Sequence, residues 1–178
     1  MIMKIETERL ILRKLEDEDF ERLFLMDSNP EVMKYIGVPV LTDINESKKI
    51  ISMIQKQYDE NGVGRLGVVE KESGLLIGWS GLKLLTHETN GYKNVLELGY
   101  CFLPESWGKG YAMESGKASL DYGFNGLNAD VIYAYAHSEH DASNHILRKL
   151  GFEKTGEFEE PDGICFWYEL KREKYGEK

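Results

Sequence analysis

Cysteine and proline are scarce in this sequence, which has two of the first and four of the second. Cys101 and Cys165 each stand in an apolar, strand-like stretch. Two such residues do not make a disulfide framework, and they read as buried free thiols. No Pro- or Ser-rich stretch marks a linker and no internal repeat is visible, so one domain spanning residues 1–178 is expected. No run approaches the roughly 18 consecutive apolar residues of a membrane span, so no membrane partner is expected. The opening Met1-Ile2-Met3-Lys4-Ile5-Glu6 turns acidic before any apolar stretch develops, which reads against a secretory leader. These absences together point to a cytoplasmic protein.

Positive charge is also in short supply. Against 31 acidic residues stand 22 basic ones, a net charge of −9. A nucleic-acid backbone calls for a clustered positive face, so nucleic acid is not an expected partner. An acidic surface suits a cationic substrate such as an amine, although it also keeps a protein soluble. The histidines (His87, His137, His140, His145) and the two cysteines show no metal-ligand spacing such as His-Glu-x-x-His or Cys-x-x-Cys, so no metal is expected.

What is present is a regular alternation of elements. Arg9-Leu10-Ile11-Leu12-Arg13 reads as a first strand and residues 18–26 as a helix, which Ser28-Asn29-Pro30 breaks. Residues 44–59 carry Ile44, Ile51, Ile54 and Tyr58 near one helical stripe, closed by Asn61-Gly62. The strands Leu66-Gly67-Val68-Val69 and Leu75-Leu76-Ile77-Gly78-Trp79 flank a Glu72-Ser73-Gly74 turn. After a polar loop over 87–94, a strong strand runs from Val95 to Leu103 and Pro104 ends it. Residues 111–124 read as a helix, Val131-Ile132-Tyr133-Ala134-Tyr135-Ala136 as a strand, and 142–150 as a short helix capped by Gly151. Two last strands, 152–158 and 164–170, surround the Pro161-Asp162-Gly163 turn. Parallel strands need a helical crossover such as the strand–helix–strand passage in the second half supplies, so the sheet is expected to be mixed.

The most informative segment joins the strongest strand to a helix: Pro104-Glu105-Ser106-Trp107-Gly108-Lys109-Gly110-Tyr111-Ala112. Two glycines one residue apart let a ligand approach the main chain. The free N–H groups at the helix start then make an anion site, to which Lys109 adds formal charge. A dinucleotide fingerprint would need glycine where Met113 stands. A nucleotide P-loop would need Gly-Lys followed by Ser or Thr, but Gly110 follows Gly108-Lys109 and Ala118 follows Gly116-Lys117. The phosphate-bearing ligand is expected to be neither a dinucleotide nor ATP.

Trp107-Gly108-Lys109-Gly110-Tyr111-Ala112 resembles the acetyl-CoA pyrophosphate loop of the GNAT acetyltransferase superfamily. Trp107 takes the place of the usual leading Gln or Arg, a variant familiar in the branch similar to RimJ and RimL. Other segments resemble that branch in the same order along the chain. They are Glu6-Thr7-Glu8-Arg9-Leu10-Ile11-Leu12-Arg13, Ser28-Asn29-Pro30-Glu31-Val32-Met33, Glu97-Leu98-Gly99-Tyr100, Ser143-Asn144 and Leu150-Gly151-Phe152.

The resemblance implies a mixed α/β fold, with a mostly antiparallel sheet of about seven strands flanked by helices. Two adjacent parallel strands, through Tyr100 and Tyr133, would splay apart. It implies acetyl-CoA as cosubstrate. The pantetheine arm would pair with main-chain groups near Cys101, Phe102 and Leu103, the pyrophosphate would sit on the amides of Gly108, Lys109, Gly110, Tyr111 and Ala112, and Asn144 would hold the arm from the opposite helix.

Amide formation from a thioester needs a neutral amine, a polarised carbonyl and a proton for the departing thiolate. Glu97 resembles the family's frequent strand glutamate and is the candidate base; its other reading is an exposed acidic residue on a strand face. The tyrosine that many GNAT enzymes carry in the last helix is replaced by Leu147. Ser143 matches the serine of the RimL-like pattern and is the candidate partner for the sulfur, although serine is also an ordinary first-turn residue. His140 stands where the family often has Asn and reads as an exposed loop histidine. Trp79 and Trp167 read as packing residues.

The expected activity is acetylation of a primary amine, on a protein N-terminus such as that of a ribosomal protein or on a small amine. The alternative is a non-catalytic acyl-CoA-binding or regulatory module, and a homodimer is left open. The acceptor is expected against the first helices, the loop 37–42 and the hairpin after Trp167. Lys109, Arg148 and Lys149 would lie toward the phosphates, and Glu97, Glu157, Glu159 and Glu160 toward a cationic acceptor.

Overall fold

Eight strands hydrogen-bond into one sheet in a computed structural model that describes residues 4–176. Met1 to Met3, half of the stretch read against a leader, lie outside the described residues. The strands are β1 (Lys4–Glu6), β2 (Leu10–Arg13), β3 (Leu66–Glu70), β4 (Leu76–Leu85), β5 (Val95–Phe102), β6 (Val131–His137), β7 (Glu153–Glu160) and β8 (Gly163–Lys171). Their order is β1-β2-β3-β4-β5-β6-β8-β7. The strand beyond the expected seven is β1, whose three residues, two of them charged, are too short to show a period of two. β4 runs past Trp79, where the apolar run breaks at Ser80-Gly81, because β5 pairs with it from Phe102 opposite Gly78 to Val95 opposite Leu85.

Every neighbouring pair is antiparallel except β5 and β6. These run parallel and meet at one register position, Glu97 opposite Tyr133. Beyond it the strands part, and the β6-facing edge of β5 is left open.

The helices are α1 (Phe20–Asp27), α2 (Pro30–Met33), α3 (Ile44–Asn61), α4 (Tyr111–Asp121), α5 (Asp141–Leu150) and α6 (Arg172–Tyr175). Leu23, Met26, Val32, Met33 and Ile51 from α1–α3 bury against Leu76 and Cys101. Leu120, Leu147 and Leu150 from α4 and α5 bury against Leu82, Leu98 and Ile132. Side chains alternate along a strand, so Glu97, Gly99 and Cys101 share one face of β5.

Ser28-Asn29-Pro30 ends α1 and also starts α2. Asn29 is the N-cap, its side chain accepting from the Glu31 N–H at 2.9 Å, and Pro30 takes the first turn, where no N–H is needed. α3 opens on a reciprocal Asp43–Glu46 capping box and closes on Gly62 at φ 69°. α4 stops at Asp121, short of Phe124, and residues 122–126 continue as a π turn. Gly123 there lies so close to Ile132 and Leu82 that a Cβ would sit within 2.7 Å of both. Both cysteines are free and buried. Among the described residues, no helix is long and apolar enough to cross a membrane.

Candidate active site

After β5, residues 104–106 make one 3₁₀ turn, and the chain enters α4 through Gly108 at φ 72° and Gly110 at φ 84°. Both conformations are left-handed, which glycine adopts without strain. Gly110 is the N-cap of α4, and no side chain caps the helix. The first-turn amides are therefore free to meet an anion at the positive end of the helix dipole.

The loop is braced by a residue the sequence pattern does not single out. Arg9 Nη1 donates to the Lys109 carbonyl at 2.8 Å and Nε to Glu114 at 2.7 Å, and its guanidinium lies 4.6 Å from the centre of the Tyr111 ring. The Tyr111 hydroxyl in turn donates to Glu70. Half-exposed Trp107 donates its indole N–H to the Phe102 carbonyl at 2.8 Å, strapping the loop back onto β5.

Some groups expected to hold the pantetheine arm are already engaged. Trp107 occupies the Phe102 carbonyl, and the Leu103 N–H donates to the Ile77 carbonyl at 2.9 Å. The Cys101 thiol faces the α1–α3 cluster, where burial, reinforced by the charge of Asp27, pushes it up to about 12. It is an inert thiol. Asn144 also differs from expectation. Its buried amide donates to the His137 carbonyl at 2.9 Å and the His140 carbonyl at 3.0 Å, and accepts from Tyr168 at 2.7 Å. These bonds fix the turn between β6 and α5.

A cleft of about 520 Å³ opens beside the gap between β5 and β6. Its floor is sheet (Trp79, Lys83, Glu97, Gly99), one wall is α3 (Ile50, Met53), and its roof is the loop through Gly37 and Leu41. Glu160 and Asp162 border it from the β7–β8 turn, which precedes Trp167 where the sequence suggested the segment after it. Gly37 passes so near that turn that a Cβ there would sit 3.5 Å from Asp162 Oδ2.

Glu97 lies on this floor and is buried, paired with Arg65 at 2.5 Å and with Lys83 at 3.8 Å. Arg65 also donates to the carbonyls of Gly81 and Glu97 and lies 5.4 Å from the Trp79 ring centre. Glu97 pulls the Lys83 ammonium toward a higher pKa, but desolvation and the like charge of Arg65 outweigh that pull and leave it below the usual lysine range. His140 is partly buried, not an exposed loop residue. It stacks on Tyr35 with ring centres 4.7 Å apart, and desolvation, with His137 beside it, lowers its pKa.

Across the gap, the Tyr100 hydroxyl lies 3.2 Å from both the carbonyl oxygen and Oγ of Ser143. Burial raises the Tyr100 phenol far above its ordinary value, so it stays protonated. Both residues line the cleft, with Leu147 beside them. Of the acidic residues expected at the acceptor side, Glu97 and Glu160 line the cleft, whereas Glu157 pairs with Lys154 on the hairpin surface. Asp27 and Asp162, which the sequence did not mark, line it too. Among the described residues, no cluster of three His, Cys, Asp or Glu side chains could hold a metal ion.

The splayed strands and the uncapped loop suit a ligand that combines an extended arm with a pyrophosphate. The sequence profile described as the acetyltransferase (GNAT) domain matches residues 9–153. The chain belongs to this family. As a GNAT protein it is an acetyl-CoA-dependent N-acetyltransferase. It is 36% identical over 177 residues to the uncharacterized N-acetyltransferase p20 of Bacillus licheniformis, covering 96% of this chain and 97% of that one. It is 32% identical to the spermidine N(1)-acetyltransferase of Escherichia coli K12, over 82% of this chain and 74% of that one. The crystal structure of spermidine N-acetyltransferase from Vibrio cholerae, in complex with CoA and spermine, superposes with a TM-score of 0.76 at 24% identity. The match covers 95% of this chain and 99% of that one.

Proposed function

We propose that the protein acetylates a primary amine of a small cationic molecule of polyamine type, and that it stands in the branch similar to RimJ and RimL. The observation that carries the acceptor class is the cleft. Four carboxylates (Asp27, Glu97, Glu160, Asp162) face two fixed cations there, and both cations (Arg65, Lys83) are already paired to Glu97. The relatedness to a spermidine acetyltransferase supports the same class. The close approach of Gly37 to Asp162 favours a compact acceptor over a polypeptide passing through.

Acetyl-CoA supplies an activated acyl thioester. The free amides of Gly108, Lys109, Gly110, Tyr111 and Ala112, with the Lys109 ammonium, would hold its pyrophosphate, and the open edge of β5 would take its arm. Ser143, in contact with the Tyr100 hydroxyl, would protonate the departing sulfur, the task for which Leu147 has no group. Glu97 in contact with Arg65 is a weak proton acceptor, because protonation would leave the guanidinium buried without its counter-charge. Its part is to hold Arg65 and to accept from the amine, or from a water beside it, at the carboxylate oxygen left over.

The test is thiol release from acetyl-CoA with spermidine and with an N-terminal peptide, across a salt series. Spermidine should support turnover, and its KM should rise with salt as rim charges are screened over about 8–10 Å. Turnover with the peptide alone would overturn the small-amine assignment.

A further inference from the structure

We infer that Asp27 receives an ammonium group of the acceptor and sets the enzyme's preference for cationic amines. This rests on the cleft being the acceptor site. Asp27 is 7% exposed and lines the cleft, and among the described residues its carboxylate makes no hydrogen bond or ion pair. The two cations that line the same cleft, Arg65 and Lys83, are paired with Glu97 and not with Asp27.

Its position makes the isolation more costly. Asp27 is the last residue of α1, and the C-terminal end of a helix carries partial negative charge, which disfavours a carboxylate. Burial without a partner disfavours it again, which is why its pKa is raised to about 6. No structural role offsets this, because the Leu41 N–H bonds the backbone carbonyl of Asp27 and not its side chain. That bond, at 3.0 Å, ties the roof loop to the end of α1, and Asp27 and Leu41 both line the cleft.

The chemistry of the missing partner follows. A buried carboxylate accepts and does not donate, and a positive donor restores what burial removed. A metal ion is a poor candidate because, among the described residues, no cluster of three His, Cys, Asp or Glu side chains includes Asp27. A primary alkylammonium offers three donors and one charge on an apolar stem, and the apolar side chains of Met33, Ile36 and Ile54 lining the same cleft suit that stem.

The experiment compares wild type with Asp27→Asn, Asp27→Ala and Asp27→Glu, using spermidine and acetyl-CoA. Thermal melting first establishes that each variant folds. Asp27→Asn should raise the spermidine KM roughly 10–100-fold, the worth of one charged hydrogen bond. The acetyl-CoA affinity measured by calorimetry should not change, and Asp27→Glu should recover part of the loss. An unmoved spermidine KM in folded Asp27→Asn, or a fall confined to kcat, would overturn the anchoring role while leaving acetyl transfer to amines intact. If wild type released no thiol with any cationic amine, the acceptor-site reading and this inference would fall together.

Discussion

Arg65 reaches the carboxylate of Glu97 by lying across Gly99, and it can do so only because Gly99 has no side chain. A Cβ on Gly99 would sit 2.4 Å from Arg65 Nη2. Arg65, on the chain leading into β3, and Glu97, on β5, stand 32 residues apart in sequence, yet they form a pair that is nearly sealed from solvent. The glycine of Glu97-Leu98-Gly99-Tyr100 thus makes room for a guanidinium.

Gly99→Ala should therefore push Arg65 off Glu97, and Glu97→Gln should leave Arg65 buried without its counter-charge. Each is expected to destabilise the fold by about 3 kcal/mol, the scale for breaking a buried pair. Chemical denaturation checks this. The double variant Arg65→Met with Glu97→Gln should recover stability relative to Glu97→Gln alone, because no guanidinium is then buried without a counter-charge, while Lys83, a third exposed, keeps contact with water.

Gly110→Glu should abolish acetyl-CoA binding, since it places a side chain and a negative charge at a left-handed N-cap where the phosphates are proposed to sit. Gly110→Ala should weaken binding more mildly, by about 1–2 kcal/mol of backbone strain. Calorimetry with CoA on the folded variants measures both, and near-wild-type affinity in Gly110→Glu would remove the phosphate assignment.

If Tyr100 and Ser143 act as one proton-donating unit, Tyr100→Phe and Ser143→Ala should each lower kcat by roughly 100-fold with little change in acetyl-CoA affinity. The double variant should be hardly worse than either single one, because neither group completes the relay alone. Additive losses in steady-state kinetics would show two independent roles.

Asp27 also makes a prediction without any substrate. Its folded-state pKa is raised from 3.8 to about 6, so the ionised form opposes folding. That penalty is absent below pH 3.8, grows as pH rises toward 6, and is complete above it, at about 3 kcal/mol. Asp27→Asn should therefore be more stable than wild type at pH 7.5, and the gap should close near pH 3.5. Taking the difference between the two proteins cancels the groups that Asp27 does not touch, and the buried Cys101 thiol, which the charge of Asp27 helps to raise, stays protonated throughout this range. Spermidine should narrow the gap at pH 7.5 by stabilising wild type selectively.

What the sequence by itself determined is what short stretches of chain decide alone. The left-handed turns at Gly108 and Gly110, the caps at Asp43 and Gly62, and the strand alternation through Val95–Phe102 are local requirements, met by residues within a few positions of one another. The two-glycine turn that leads into α4 was legible for that reason, and the order of motifs along the chain carried the fold. The tertiary structure decided which charges meet. Arg9 reaches Lys109 across 100 residues, Tyr100 reaches Ser143 across 43, and the Asp27 carboxylate, at the end of α1, has no partner among the described residues. A carboxylate's role depends on how far it is desolvated and on what cation stands beside it. Both are set by chain segments distant in sequence, so the sequence marked Glu97 but could not show its pairing with Arg65, and it did not mark Asp27 at all.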